Sequence, residues 1–215
     1  MSDIKTSRRL VGAQSPDRDE AEFYPTPRNA IEGLLAVETF SGTVWEPCAG
    51  KGHLVRVLTE RHMDVFASDL HDYGAEAVKG TVAGIDFLQN GKTHKKVRDF
   101  MTSRKVDIIT NPPFTMLDRY HVKQFVQQLR DHSNGKVAIL ARLHVLEGAE
   151  RKKELFDVWP PSRVWVFSER LKFERGGKPL SQPEGGRKNR GGLMAFCWLV
   201  WDHADATGET RVGWI

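Results

Sequence analysis

Short apolar runs recur along the chain at Val44-Trp45, Val65-Phe66-Ala67, Val106-Asp107-Ile108-Ile109, Val137-Ala138-Ile139-Leu140 and Val164-Trp165-Val166-Phe167, separated by amphipathic stretches. Runs of this length, rich in β-branched residues, read as strands buried on both faces of a parallel sheet. The stretches between them predict helices over residues 27–37, 53–62, 116–131 and 147–158, each long enough to cross from one parallel strand to the next. Such alternation restricts the chain to a doubly wound α/β fold. After Phe167 the pattern changes. A stretch rich in Gly, Lys and Arg leads into the apolar run 193–201 with no room for a crossover helix, so a closing antiparallel hairpin is expected.

The chain has 215 residues, enough for one core, and no internal repeat is evident, so a single domain over 21–215 is expected. Residues 1–20 are polar and charged without strand or helix period and read as a flexible arm. The run 193–201 is too short to span a bilayer, and the first residues lack the apolar core of a signal peptide. The expectation is a cytoplasmic protein with no membrane partner. Cys48 and Cys197 are too few for a disulfide framework, and neither they nor the eight histidines show metal-ligand spacing, so no metal is expected. The net charge of +4 is compatible with nucleic acid but decides little.

Asn111-Pro112-Pro113-Phe114 follows directly on the run 106–109, where open α/β sheets place ligand chemistry. An exocyclic amine is a poor nucleophile because its lone pair is delocalised into the ring. Acceptors for its hydrogens localise that pair, and the Asn111 amide oxygen and the Pro112 carbonyl are such acceptors. The prolines fix the backbone, and Phe114 offers a face for an extruded base. The alternative is a plain turn, because Asn-Pro commonly opens one.

Val44-Trp45-Glu46-Pro47-Cys48-Ala49-Gly50-Lys51-Gly52-His53 reads as a strand, a small-residue turn and a helix start, the layout of a nucleotide-type cofactor site. Gly50 and Gly52 permit tight turning, and Glu46 is placed to accept from a cationic amino group. Asp69 ends the second strand, about 20 residues beyond the turn region, where such folds hold ribose hydroxyls. Gly84-Ile85-Asp86-Phe87 is expected to end a third strand, with Asp86 receiving an adenine amino group and Phe87 or Ile85 packing on the ring; a turn or cap role for Asp86 stands beside that reading. Gly52 stands where a phosphate-binding loop needs Ser or Thr, and Val55 stands where a dinucleotide fingerprint needs Gly or Ala, so both lose support.

Phe23-Tyr24-Pro25-Thr26-Pro27, the segment Glu46 to Gly52, Asp69 and Asn111-Pro112-Pro113-Phe114 together resemble the adenine-N6 DNA methyltransferases of the amino-methylating class, over about residues 23–201. The resemblance implies a Rossmann-like class I methyltransferase fold, with a mostly parallel seven-stranded sheet and a C-terminal antiparallel hairpin. It implies S-adenosyl-L-methionine as cofactor and DNA as partner, the target adenine being flipped onto Asn111, Pro112, Pro113 and Phe114. Tyr24, Thr26, Pro27, Glu46, Pro47, Cys48, Ala49, Gly50, Gly52, Asp69, Leu70, Asp86, Phe87 and Asn111 would line the cofactor. More loosely, Leu143-His144-Val145-Leu146-Glu147-Gly148 and Pro160-Pro161-Ser162-Arg163-Val164 resemble small methyltransferase-like proteins of phage and prophage genomes, a setting of restriction and modification.

Much of the adenine-N6 family carries a separate target-recognition domain, and here only 171–192 is left to supply one. The basic loop 170–192 holds Arg175, Lys178, Arg187, Lys188 and Arg190, candidates for neutralising phosphates. Its alternative is a solvated hairpin without a partner. The competing functions are methylation of adenine in RNA or of a protein glutamine, and a non-catalytic cofactor-binding module on nucleic acid.

Overall fold

The computed structural model describes residues 24–89, 94–102, 104–114, 117, 122–175, 178–179, 194–205 and 207–215. The expected arm at 1–20 and most of the basic loop lie outside these residues. A seven-stranded, mostly parallel sheet runs in the order β2-β1-β3-β4-β8-β5-β9. Its strands are β1 (Thr43–Glu46), β2 (Asp64–Ala67), β3 (Asp107–Thr110), β4 (Lys136–Arg142), β5 (Arg163–Val166), β8 (Phe196–Asp202) and β9 (Arg211–Trp214). Neighbours pair in parallel except around β8, which runs antiparallel to both β4 and β5. The expected closing hairpin is β5 with β8. A separate pair, β6 (Glu174–Arg175) with β7 (Lys178–Pro179), lies in the basic stretch.

The period-two alternation of the strands divides the core into two halves. Val44, Ile109, Ala138, Leu140, Trp198 and Val200 face one side, packed with Ala30, Ile31 and Leu34 of α1 (Arg28–Val37) and Leu54, Val57 and Leu58 of α2 (His53–Glu60). Trp45, Ile108, Val137, Ile139, Leu199 and Trp201 face the other. There they meet Val97 of α3 (Lys95–Met101), Val126 and Leu129 of α4 (Val122–His132) and Leu155 of α5, which starts at Ala149–Arg151 and continues as a π turn over Lys152–Phe156. The buried tryptophans spend their N–H groups internally: Trp198 donates to the Ala30 carbonyl at 2.9 Å and Trp45 to Ser68 Oγ at 2.9 Å. Among the described residues no helix is long and apolar enough to cross a membrane.

Several expectations shift. Residues 84–87 form a turn, not a strand: Gly84 has φ +77°, and Asp86 Oδ1 accepts the backbone N–H groups of Leu88 at 2.9 Å and Gln89 at 3.2 Å. Among the described residues a single bridge, Ser68 with Val82, extends the sheet beyond β2. The helix expected over 53–62 stops at Glu60, and His62 takes a left-handed φ of 62°. Of the helix expected over 116–131, Leu117 and Val122–His132 are described, and they are helical. Helix α3 and strand β9 were not anticipated by the periodicity.

A buried ionic network ties α1 to the far half of the sheet. Glu38, just past α1 and 5% exposed, accepts from Lys136 Nζ at 2.7 Å, Arg163 Nη2 at 3.0 Å and Trp165 Nε1 at 2.9 Å, and Arg163 also reaches Asp202 at 2.9 Å. Burial alone would push the Glu38 carboxyl up, but the hydrogen bonds from Arg163, Lys136 and Trp165 outweigh it and hold the group below the ordinary glutamate value. Removing one partner of a buried pair strands the others. Glu38→Gln is therefore expected to cost about 3 kcal/mol in urea denaturation at neutral pH. Because the folded-state value is lowered, the Glu38 contribution is complete above the ordinary glutamate range and is lost as pH falls through the folded value. The gap between wild type and Glu38→Gln should close on acidification, and a gap that is constant with pH would contradict this assignment.

Candidate active site

Strand β1 has β2 on one side and β3 on the other, so the chain leaves β1 in one direction and returns in the other. Such a switch point opens a crevice at the carboxyl ends of the strands. The segments that follow β1, β2 and β3 meet there in one pocket. Its wall includes Tyr24, Thr26, Pro47, Cys48, Ala49, Gly50, Asp69, Leu70, Asp86, Phe87, Asn111, Pro112, Pro113 and Phe114.

The glycine turn is held by the acid of the next strand. Asp69 Oδ2 accepts Gly50 N–H at 2.7 Å, and its Oδ1 accepts His71 N–H at 2.8 Å. A carboxylate has about four acceptor sites, so Asp69 keeps capacity for a ligand hydroxyl while it fixes the turn. Glu46 joins the turn to β3: its Oε1 accepts Thr110 Oγ1 at 2.7 Å and Cys48 N–H at 2.9 Å. Burial, with the Asp69 charge nearby, pushes the Glu46 carboxyl up to about 8 despite those two hydrogen bonds. Burial and the same two carboxyls hold the Cys48 thiol well above its usual range, so it stays a neutral wall group.

Two hydrogen bonds orient the Asn111 side chain in the wall. Its Nδ2 donates to the Tyr24 carbonyl at 3.2 Å and to Thr26 Oγ1 at 3.0 Å. A carbonyl only accepts, so the amide is oriented with its NH2 toward Tyr24 and its oxygen away. That oxygen, Oδ1, is buried and has no hydrogen-bond partner among the described residues. An acceptor left so costs about 1–3 kcal/mol, which a donor entering the site would recover.

Three expected cofactor residues do not line the pocket. Pro27 precedes α1, Glu46 lies behind Cys48, and Gly52 packs away from the cavity. Gly52 has φ +80°, and a Cβ there would meet Val78 Cγ2 at 2.3 Å, so close packing fixes this glycine. Pro25, His53, His71 and Tyr73 also line the pocket and were not anticipated, although His53 stands directly after the glycine turn. Phe114 is only 4% exposed, so the free aromatic face expected there is covered. Of the basic-loop candidates, Arg175 and Lys178 lie in β6 and β7, whereas Arg187, Lys188 and Arg190 fall outside the described residues.

No protein-family model and no curated protein sequence matches the chain. Solved structures do match in shape. A modification subunit provisionally assigned to a type I restriction enzyme of Vibrio vulnificus aligns over 98% of this chain at 15% identity and a TM-score of 0.54. The chain spans only 50% of that subunit. A Pyrococcus horikoshii protein provisionally described as an RNA methyltransferase aligns over 92% of this chain and 96% of its own length, at 15% identity and a TM-score of 0.54. A provisional class I S-adenosylmethionine-dependent methyltransferase of Listeria monocytogenes aligns over 96% and 68%, at 11% identity and a TM-score of 0.50. With the sheet described above, these likenesses show a Rossmann-like class I methyltransferase fold.

The raised carboxyl of Glu46 gives this site a pH signature. The unfolded chain releases that proton in the ordinary glutamate range and the folded chain near 8, so stability falls as pH rises between the two values. Glu46→Gln removes the ionisation. Urea denaturation at about pH 5 and about pH 8 should show a larger loss in wild type than in Glu46→Gln. Equal losses would mean that Glu46 is not held protonated.

Proposed function

We propose that the chain is an S-adenosyl-L-methionine-dependent methyltransferase that methylates the exocyclic N6 amino group of adenine in DNA. The observation that carries this reading is Asn111, whose NH2 is committed to Tyr24 and Thr26 while its buried oxygen is left without a donor. That is the arrangement a site needs to accept a hydrogen from an aromatic amine.

The wall fits the cofactor. Ile85, Phe87 and Leu70 supply apolar surface for a purine, and Asp69 and Asp86 keep acceptor capacity for ribose and ring amine. When bound, the cofactor supplies an electrophilic methyl group on a sulfonium. The chain's own contribution lies on the other side of the transfer. Asn111 Oδ1 takes one amino hydrogen and the Pro112 carbonyl takes the other, which draws the nitrogen lone pair out of conjugation. No side chain has to remove a proton before transfer: the methylated nitrogen is left cationic, hence strongly acidic, and sheds its extra proton to solvent without a dedicated base.

A nucleic acid is preferred over a protein glutamine because the stretch 170–190 carries Arg170, Lys172, Arg175, Lys178, Arg187, Lys188 and Arg190 against two acids, and DNA is taken over RNA on the resemblance to the adenine-N6 DNA methyltransferases. Clustered cations of this kind grip phosphates, and methylating a paired base requires taking it out of the stack.

The test is transfer of labelled methyl to duplex DNA, single-stranded DNA, RNA and a glutamine peptide, with nucleoside analysis of the product. N6-methyladenine in DNA is expected, and Asn111→Ala should lower kcat by about 100- to 1000-fold with KM little changed. Methyl on RNA or peptide alone would replace the substrate, and cofactor binding without transfer would leave a binding module. Replacing Arg187, Lys188 and Arg190 with Ala should reduce the slope of log affinity against log salt by about 3. An unchanged slope would remove the loop from the DNA interface.

A further inference from the structure

The aromatic face on which a target base would stack is already taken. Phe114 has Phe173 edge-on at 5.7 Å, Phe196 tilted at 5.4 Å and the Arg142 guanidinium over its ring at 4.8 Å. Tyr24 lies stacked on it, with ring centroids 5.6 Å apart and planes 23° from parallel. Two rings so disposed make a favourable offset stack, the geometry a purine would adopt on the same ring. A base cannot reach Phe114 unless one of these neighbours leaves.

The neighbours differ in how firmly they are held. Phe173 and Phe196 are 6% and 5% exposed and belong to the core between the sheet and α1. Tyr24 is half-buried, lines the pocket itself, and its hydroxyl makes no hydrogen bond to a described residue. Its ring is held by ring contacts, the stack on Phe114 and an edge contact with Phe173 at 6.5 Å, while its backbone carbonyl separately accepts from Asn111 Nδ2. The ring can therefore rotate away without disturbing the amide that orients the Asn111 oxygen.

We propose that the Tyr24 ring is a resident stand-in for the target base, plugging the Phe114 slot until an extruded adenine displaces it. The proposal rests on the base-methylating reading above. It makes Tyr24 a gate on base entry: the enzyme exchanges one aromatic stack for another, so the slot stays closed to water and to any planar group that stacks less well than the phenol ring. Tyr24→Ala removes the plug and leaves the carbonyl tether intact, whereas Tyr24→Phe keeps the plug.

The experiment measures affinity for short single-stranded oligothymidylates that carry at one central position an adenine, a purine lacking the amino group, or an abasic site. Fluorescence anisotropy of an end label reads binding to wild type, Tyr24→Ala, Tyr24→Phe and Asn111→Ala, with thermal unfolding of each variant to establish that it folds. Tyr24→Ala is expected to bind the adenine and purine strands about tenfold more tightly than wild type, a difference of about 1.4 kcal/mol. The abasic strand should show no gain, and Tyr24→Phe should match wild type. Equal or weaker binding of both base-containing strands by folded Tyr24→Ala overturns the plug, as does a gain shared by the abasic strand.

The amine reading is scored separately by the preference for adenine over purine. A preference that disappears in Asn111→Ala supports it, and its absence in every protein overturns that reading whatever Tyr24→Ala shows. Failure of all the proteins to bind any strand overturns both.

Discussion

The buried carboxyl of Glu46 is the joint on which the site depends. It stands at the end of β1 and takes hydrogen bonds from the turn that follows its own strand and from Thr110 at the end of β3. The two segments proposed to carry the chemistry, the glycine turn and Asn111 to Phe114, are thereby tied to one carboxyl. Asp69 repeats the device on the β2 side by accepting Gly50 N–H. Both joints are acids at strand ends, and both sit at the switch point where a parallel sheet must open a crevice. The topology supplies the opening, and the two carboxyls tie together the segments that border it.

From this frame the polarity of the pocket follows. Asn111 is oriented by Tyr24 and Thr26, which precede α1 and reach the site only because α1 packs Ala30, Ile31 and Leu34 on the sheet. The Glu38 network anchors the end of that helix to β4, β5 and β8. The chain thus links an ionic cluster remote from the pocket to the position of one amide oxygen.

Much of this was legible in the sequence, for physical reasons. The glycine turn, Asp69 and Asn111-Pro112-Pro113-Phe114 each follow a buried strand, and buried parallel strands announce themselves as apolar runs. Residues 84–87 were misread as a strand because Ile85 and Phe87 alternate with polar neighbours, yet Gly84 turns the chain and Asp86 caps its own backbone. Helix α3 hides because only Val97 of its residues is fully buried, and β9 hides because it is an edge strand with Val212 and Trp214 exposed. Glu38, Lys136, Arg163 and Asp202 come from four separate segments, so no local pattern could join them. His71 and Tyr73 sit in an irregular loop after β2 and carry no periodicity to flag them. The cover over Phe114 was equally invisible, since stacking between Tyr24 and a ring 90 residues away is a property of the folded chain alone.

In the proposed function, the Asn111 oxygen is an acceptor held ready for an aromatic amine. Nuclear magnetic resonance of a strand whose target adenine is 15N-labelled at the exocyclic nitrogen, bound to the protein, reads that contact directly. Two distinct, slowly exchanging amino protons are expected in the wild-type complex, with one of them returning to its free-strand position in Asn111→Ala. An amino group whose protons remain equivalent and exchange as in the free strand would contradict the claim.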